Sequence, residues 1–290
     1  MQYHLDGKLV PEEEATVSVR DRGFAYGDGA FETLRAYGGT ILAWDAHADR
    51  LERTVATLGF AEAIPPREDL HKRVRETLAA NDLADAYVKL SITRGVQPGK
   101  LTPAERVDPT IVVQVSPLPR GGTDGENVWD EAAVLRTVAT RPVPDESIPS
   151  DAKTHNYLDG ILARLELRRT GDVQADEALM RDPDGYVVEG ATSNLFFVDD
   201  GVLKTPSTEL PLLPGVTRSI VLQLAGEEGL PVEEGRYAVE EVHRADEAFV
   251  TNTTWELRPV ETLDGVEIGG GPMTALLSRL YDQRVEQLCY

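Results

Sequence analysis

Lysine is the residue type that narrows the search for chemistry in this chain. Only six lysines occur in 290 residues, at positions 8, 72, 89, 100, 153 and 204. An amine that forms an imine with a carbonyl compound works from a pocket, whereas most lysines are solvated at the surface. Four of the six lie beside turns, in a loop or on a charged helix face. Lys89 and Lys153 alone stand among residues suited to a pocket.

Two features in the second half of the sequence would complement a reactive amine at Lys153. Glu189 follows an apolar strand and precedes Gly190. Gly215, Val216 and Thr217 begin an amphipathic helix, where free N–H groups and the helix dipole favour a phosphate. An amine, an acid facing a pyridine nitrogen and a phosphate cradle are what pyridoxal 5′-phosphate (PLP) requires, because the acid keeps the ring protonated as an electron sink. Taken alone, Glu189 is better explained as a solvated acid at a turn, since the chain has fifty acidic residues.

A second candidate cradle is a cluster of threonines in the sequence TNTTWE. Thr251, Thr253 and Thr254 follow the apolar strand EAFV. Hydroxyl and amide groups at such a bend can bind an anion, although ordinary capping explains each threonine by itself. Together with Lys153 and Glu189, the cradles form the combination expected of a PLP site.

The elements that must position these residues divide into two groups. Alternating apolar residues and turn signals in the first half predict a small α/β unit. It contains an N-terminal hairpin at an Asp-Gly turn, helices over 45–59 (capped by Asp45) and 67–80, and strands over 86–93 and 110–115. The second half predicts a strand over 134–140, a helix from about Asn156, a three-stranded meander, a helix over 217–229, a strand over 247–251 and a terminal helix from about Met273. Lys153 is then expected on an irregular segment just before a helix.

Several strings in a fixed order carry a family resemblance: RDRGFAYGDGAFETLR, KTHNYLDGILARLE, ADEALMRDPDGYVVEGATSNLFFV, LPGVTR and TNTTWELRPV. The sequence resembles the class IV aminotransferases, the fold-type IV PLP enzymes, and is closest to the branched-chain aminotransferases and 4-amino-4-deoxychorismate lyases. The resemblance runs from the first half nearly to the C-terminus.

This resemblance implies an α/β (α+β) fold with two domains. A small N-terminal α/β domain is expected over 1–118, a linker over 119–126, and a larger C-terminal pseudo-barrel domain that binds PLP over 127–290. The resemblance also implies an active site between the two domains and a homodimer as the minimal unit. Pro117, Pro119 and three glycines mark the linker independently.

The resemblance also implies site residues. Lys153 would be the catalytic lysine that binds PLP as a Schiff base, and Glu189 would pair with the pyridine nitrogen. The remaining cofactor-binding residues would be Arg50, Tyr157, Val216, Thr217 and Thr253. The substrate would contact Tyr26, Phe31, Tyr87, Lys89 and Thr254.

Substrate choice is where the implied activities differ. The expected reaction is ping-pong transfer of an amino group from a small, branched-chain or other aliphatic, amino acid to a 2-oxo acid such as 2-oxoglutarate. Branched-chain enzymes carry an arginine where this sequence has Lys89, whereas deoxychorismate lyases often carry a lysine there. Release of pyruvate from aminodeoxychorismate therefore stays open as an alternative. The D-amino acid aminotransferases place an arginine and a histidine after their Arg-Gly pair, whereas this sequence reads RGVQPGKL, which disfavours that activity.

Composition sets the remaining expectations. A net charge of −21 disfavours nucleic acid as a partner. No apolar run is long enough for a membrane span, and the N-terminus does not resemble a signal peptide, so a cytoplasmic location is expected. The single cysteine, Cys289, and the spacing of the five histidines predict no metal site. Dispersed carboxylates with few lysines indicate a salt-rich cytoplasm, that is, a halophilic protein.

Overall fold

The computed structural model describes residues 1–120, 129–169 and 175–290. Two compact units are distinguished by their internal contacts. The first consists of the described residues of Met1–Gly125 with Ala152–Asn156 and Leu288–Tyr290, and the second of those of Glu126–Asp151 and Tyr157–Gln287. The short segment that carries Lys153 thus groups with the first unit. The domain limits given above stay a prediction, and residues 121–126 of the expected linker lie outside the described residues.

The first unit is built on a six-stranded antiparallel sheet with the strand order β2-β1-β6-β5-β3-β4. Its first hairpin turns at Asp6 and Gly7, which both have positive φ (46° and 90°), as a two-residue turn between twisted strands requires. The strands are β1 (Gln2–Leu5), β2 (Lys8–Pro11), β3 (Gly29–Tyr37), β4 (Thr40–Ile41), β5 (Ala86–Thr93) and β6 (Thr110–Pro117).

Helices cover one face of this sheet. Alternate residues of β3 and β5, including Leu34 and Leu90, form one buried cluster with the apolar faces of α2 and α3. The opposite face of the same strands carries larger and more polar side chains, as the two-residue period of a strand dictates. The helices of this unit are α1 (Arg22–Tyr26), α2 (Trp44–Thr57) and α3 (Arg67–Ala80), with short 3₁₀ turns at Glu12–Glu14 and Ala61–Ala63.

The start of α2 corrects one expectation. Asp45 does not cap the helix: the N-cap is Ala43, which has positive φ (54°) and makes no side-chain capping bond. Asp45 lies instead in the first turn, where a carboxylate still favours the positive end of the helix dipole. The expectation for the next helix is confirmed, since α3 spans the predicted residues.

The second unit is built on a mixed sheet of nine strands in the order β12-β11-β10-β13-β14-β7-β8-β9, with β15 paired to β14. The expected three-stranded meander is wrong. The middle run is divided into β9 and β10, which are not neighbours in the sheet, so that β8 and β9 form one antiparallel pair and β10 and β11 another. The strands are β7 (Ala133–Thr137), β8 (Glu177–Arg181), β9 (Val187–Gly190), β10 (Asn194–Asp199), β11 (Val202–Pro206), β12 (Val232–Gly235), β13 (Glu247–Asn252), β14 (Glu256–Leu263) and β15 (Val266–Glu267).

The helices in the described residues of the second half are α4 (Leu158–Arg169), α5 (Val216–Glu227), α6 (Val239–Val242) and α7 (Pro272–Cys289). The helix expected from Asn156 begins two residues later, at Leu158. No helix in the described ranges is long and apolar enough to cross a membrane.

Candidate active site

Lys153 lies on a short segment that pairs with the edge of β3. The N–H of Phe31 donates to the carbonyl of Lys153 (3.1 Å), and the N–H of His155 donates to the carbonyl of Gly29 (2.9 Å). These two bonds flank an isolated antiparallel bridge between Ala30 and Thr154. Phe31 and Lys153 are therefore directly opposite each other, with side chains on the same face. The segment before α4, which the sequence predicts to be irregular, is therefore held against β3 by this short antiparallel pairing.

Helix α2 holds the other backbone group of the lysine. The N–H of Lys153 donates to Oγ1 of Thr54 (3.0 Å), and this hydroxyl donates in turn to the carbonyl of Arg50 (2.9 Å). Thr54 is fully buried. With both of its backbone polar groups paired, Lys153 has a fixed main chain from which its side chain extends.

The ring of Phe31 is contacted by two ammonium groups. Nζ of Lys153 lies 4.6 Å from the ring centroid and Nζ of Lys89 lies 4.9 Å from it. Strand register explains why, because Thr33 pairs with Lys89 and lies on the same face as Phe31. Tyr87 belongs to this face as well: burial raises the pKa of its hydroxyl, and a hydrogen bond with Thr33 partly offsets that rise. The structure thus brings Phe31, Tyr87, Lys89 and Lys153 to one face of the sheet.

The helix-covered side of β3 contains a buried ionic cluster. Glu32 accepts bonds from Nε and Nη2 of Arg50 (2.8 and 2.7 Å) and from Nδ1 of His47 (2.7 Å). All three side chains are almost completely buried. Burial alone would raise the pKa of Glu32, but the bonds from Arg50 and His47 outweigh it and lower the pKa to about 2. Burial also lowers the pKa of His47 below its ordinary value, in spite of the carboxylate.

Two of the expected site residues lie apart from the Phe31 face. Arg50 is on the helix-covered side, where one edge of its guanidinium is engaged by Glu32, and its role at a phosphate stays a prediction. Tyr26 ends α1, is about half exposed and lies under the guanidinium of Arg22 at 5.0 Å. Its contact with substrate also stays a prediction.

In the second unit, Glu189 lies at the end of β9 with defined partners. Its Oε2 accepts from the side-chain amide of Asn194 (3.3 Å) and from the N–H of Leu213 (3.2 Å). A carboxylate held in this way keeps one orientation and can pair with a cationic ring nitrogen.

The start of α5 offers backbone donors close to that carboxylate. The first amides of an α-helix have no intrahelical acceptor, and in α5 these include the amides of Val216 and Thr217. The N-cap is Gly215, which makes no side-chain capping bond to them. Both residues are buried. Free amides at the positive end of a helix dipole form an anion-binding site.

The threonine cluster lies at the same end of the sheet. Thr251 on β13 is the register partner of Asn194 on β10. Its Oγ1 is buried and has no hydrogen-bond partner among the described residues. Thr253 and Thr254 form the turn that follows, where Asn252 accepts from the N–H and hydroxyl of Thr254. The second cradle expected from the sequence is therefore adjacent to the first.

Tyr157 immediately precedes α4. A Cβ on Gly160 would lie 3.1 Å from the carbonyl of Ala191 and 3.8 Å from the Tyr157 ring, so the start of α4 packs closely against the turn that follows β9. Glu189 is at the end of that strand. Tyr157, Glu189, both cradles and Thr254 thus belong to one region of the second unit.

The sequence did not reveal several residues that form hydrogen bonds to the expected site residues. Glu32 could have been recognised as an acid at an inward position of an apolar strand, between Ala30 and Leu34. Thr54 lies one helical turn after Arg50, which suggests a position facing the core. Asn194 begins an apolar strand, but no local signal reveals its contact with Glu189.

Comparison with known proteins identifies the family of this chain. A family model described as amino-transferase class IV matches residues 29–263. A relative from Methanocaldococcus jannaschii, named "Putative branched-chain-amino-acid aminotransferase", is 37% identical over 98% of this chain and 95% of its own length. The crystal structure of a branched-chain aminotransferase from Thermoproteus uzoniensis with norvaline superposes with a TM-score of 0.88 at 33% identity, covering 98% of this chain and 94% of that one.

A solved structure with a different activity is also similar. The 4-amino-4-deoxychorismate lyase from Pseudomonas aeruginosa has a TM-score of 0.81 at 31% identity, covering 99% of this chain and all of that one. Fold and motifs together define a fold-type IV enzyme. The chain belongs to the class IV aminotransferases, an enzyme family that uses PLP as its cofactor.

The described residues fit that cofactor. The second unit presents an oriented carboxylate, two free helix amides and an orphaned buried hydroxyl, which suit a pyridine nitrogen and a phosphate. The first unit presents a lysine whose backbone is fixed and whose amine lies beside an aromatic ring.

Proposed function

We propose that this aminotransferase moves the amino group of a small aliphatic amino acid, branched-chain ones included, to a 2-oxo acid such as 2-oxoglutarate. The observation that carries the substrate class is the Phe31 face, where one ring is flanked by the ammonium groups of Lys153 and Lys89. An apolar ring suits an aliphatic side chain, and a second cation beside the reactive amine suits a carboxylate. The names of the relatives support the same class.

We further propose the roles of the cofactor-binding residues. Lys153 would hold PLP covalently through its amine, and Glu189 would keep the pyridine nitrogen protonated. Val216, Thr217 and Thr253 would bind the phosphate, with Arg50 as a further cation and Tyr157 near the phenolic oxygen. Bound PLP supplies an electron sink for the charge that develops when the substrate loses its α-proton.

The chain's own residues would then carry the proton and place the substrate. Lys153 would act first as the general base that accepts the substrate's α-proton and then as the general acid that donates it back. Phe31, Tyr87 and Lys89 orient the substrate so that this proton faces the lysine, while Tyr26 and Thr254 complete the contacts. Amino transfer then proceeds in two half-reactions with ping-pong kinetics.

Cofactor attachment is tested by chemical trapping. The purified protein should be yellow, and borohydride should fix the cofactor to Lys153, as identified by peptide mass spectrometry. Lys153→Ala should lose the trapped cofactor, whereas Lys72→Ala, which removes an exposed lysine, should retain it. Attachment at any other lysine would refute the assignment.

One observation favours a second candidate, the lyase activity. Lys89 stands where the branched-chain enzymes are expected to have an arginine, and the lyase from Pseudomonas aeruginosa has the same fold. Aminodeoxychorismate offered to the enzyme without a 2-oxo acid distinguishes the two. A lyase releases pyruvate, whereas a transaminase converts the bound cofactor to its pyridoxamine form when L-leucine, L-valine or L-glutamate is added.

Running this panel with both enantiomers also tests the D-amino acid activity, which the sequence disfavours. Conversion by D-alanine but not by L-leucine would refute the proposed substrate class. Assembly as a homodimer, a cytoplasmic location, adaptation to high salt and a domain division at 119–126 remain predictions from the sequence.

A further inference from the structure

Asn194 links two parts of the proposed cofactor site. It is the first residue of β10 and is 6% exposed. Its side-chain Nδ2 carries two hydrogens, one of which is donated to Oε2 of Glu189 (3.3 Å) and the other to the carbonyl of Leu213 (3.0 Å). One amide therefore holds both the proposed ring-nitrogen acid and the loop that leads into α5.

That loop is held from a second side. The N–H of Leu213 donates to the same Oε2 of Glu189 (3.2 Å). Both backbone polar groups of Leu213 are thus bound to the Glu189–Asn194 pair, two residues before the N-cap of α5. A shift of either side chain would move the segment that presents the helix amides.

Gly215 completes the connection. A Cβ on this residue would lie only 2.2 Å from Oδ1 of Asn194. The φ of Gly215 is −66°, which any residue can adopt, so backbone conformation does not require a glycine here. The side chain of Asn194 requires it, because the amide packs directly against the helix N-cap.

We propose that Asn194 is a positioning residue that couples Glu189 to the anion-binding start of α5, so that the ring nitrogen and the phosphate of PLP bind cooperatively. This inference rests on the proposed roles of Glu189, Val216 and Thr217. Asn194 itself need not touch the cofactor. Its donated bond orients the carboxylate of Glu189, and its contact with Gly215 fixes the helix start relative to that carboxylate.

Asn81 provides a matched control. Its Nδ2 donates to the carbonyls of Gln2 and Thr77, and its Oδ1 accepts from the N–H of Gln2. This asparagine makes a comparable number of bonds, all of them to the backbone of Gln2 and Thr77 in the first unit, neither of which is a proposed site residue. Asn81→Ala should lower stability without altering how the cofactor is recognised.

The test measures cofactor affinity of the apoenzyme by equilibrium dialysis with three compounds. They are PLP, pyridoxal, which lacks the phosphate, and a PLP analogue with carbon in place of the pyridine nitrogen. All three retain the aldehyde. The two ratios of dissociation constants, pyridoxal to PLP and carbon analogue to PLP, report recognition of the phosphate and of the ring nitrogen.

We expect Asn194→Ala to reduce both ratios, each by about 10-fold, a typical coupling between groups in one network. A residue with a merely structural role would weaken all three compounds equally and leave both ratios unchanged. Asn194→Ala with wild-type ratios, or with only one ratio reduced, would overturn the coupling. Asn81→Ala should keep both ratios.

Gly215→Ala tests the same contact from the other side and serves if Asn194→Ala does not fold. Its methyl group should displace the Asn194 amide and reduce both ratios. In the Asn194→Ala background the added methyl no longer meets that amide, so the second substitution should have little further effect. Additive effects of the two substitutions would contradict the inference.

Glu189→Gln separates this inference from the proposed function. This substitution should abolish the preference of the apoenzyme for PLP over the analogue that has carbon in place of the pyridine nitrogen. If it does not, the assignment of Glu189 is wrong. If it does while Asn194→Ala and Gly215→Ala leave both ratios unchanged, the coupling alone is refuted.

Discussion

Glu32 carries a charge that matters to the first unit, because it is buried together with its cationic partner Arg50. Its carboxylate has a folded-state pKa of about 2, compared with an ordinary value of 4.5. The ionised form therefore stabilises the fold fully above about pH 4.5, and this contribution is lost as the pH falls from 4.5 towards 2. The shift corresponds to about 3 kcal/mol.

Replacing Glu32 by Gln should cost roughly 3–5 kcal/mol at neutral pH, since it removes the negative charge that Glu32 places against the buried Arg50. Urea unfolding between pH 7 and pH 2.5 should show a weaker acid dependence in the variant. Glu76→Gln, which removes an exposed partner of Lys72, should leave the profile unchanged. If the free energy of unfolding of Glu32→Gln fell with decreasing pH as steeply as that of the wild type, the pKa assigned to Glu32 would be contradicted.

His47 predicts a separate effect at higher pH. Burial lowers its pKa in the folded protein, so the folded state takes up a proton at a lower pH than the unfolded chain, whose ordinary value is 6.5. Its contribution is complete above about pH 6.5 and decreases as the pH falls below that value. The free energy of unfolding of His47→Gln should decline less steeply than that of the wild type between pH 7 and pH 5. Equal slopes would rule out a lowered pKa for His47.

At the scale of elements, the position of Lys153 depends on two neighbours, β3 and α2. Thr54→Val should remove the acceptor for the Lys153 N–H at a cost of about 1–3 kcal/mol. It should also lower the fraction of protein in which borohydride fixes the cofactor to Lys153. Thr54→Ser keeps the hydroxyl and should resemble the wild type in both measurements. Identical behaviour of Thr54→Val and Thr54→Ser would show that this bond does not hold the lysine.

Most elements could be predicted because their apolar periodicity is local. The bounds of α3 and β5 match the expectation, and α5 begins within one residue of it. The short helix α1 and strand β14 were not predicted. Five residues are too few to show helical periodicity. In β14, a proline at position 259 argues against a strand, although Pro259 pairs in register with Phe249.

At the scale of the whole molecule, the net charge of −21 predicts a dependence on salt. The Debye length falls from ~10 Å at about 0.1 M salt to ~3 Å at about 1 M, so repulsion between dispersed carboxylates is screened. The thermal midpoint should rise on addition of KCl by more than it does with an osmotically matched amount of sucrose. An equal rise of the thermal midpoint in KCl and in sucrose would indicate that both solutes act by being excluded from the protein surface, and not by charge screening.

The sequence by itself determined the family, the cofactor and the identity of the residues proposed to bind it, because these depend on residue types at fixed spacing along the chain. It also determined most of the helices and strands. Only the tertiary structure decided which residues hold the reactive groups in place. Thr54 lies 99 positions from Lys153, and Asn194 lies 19 from Leu213. Such contacts form when strand register and helix packing bring distant segments together, and no local pattern encodes them.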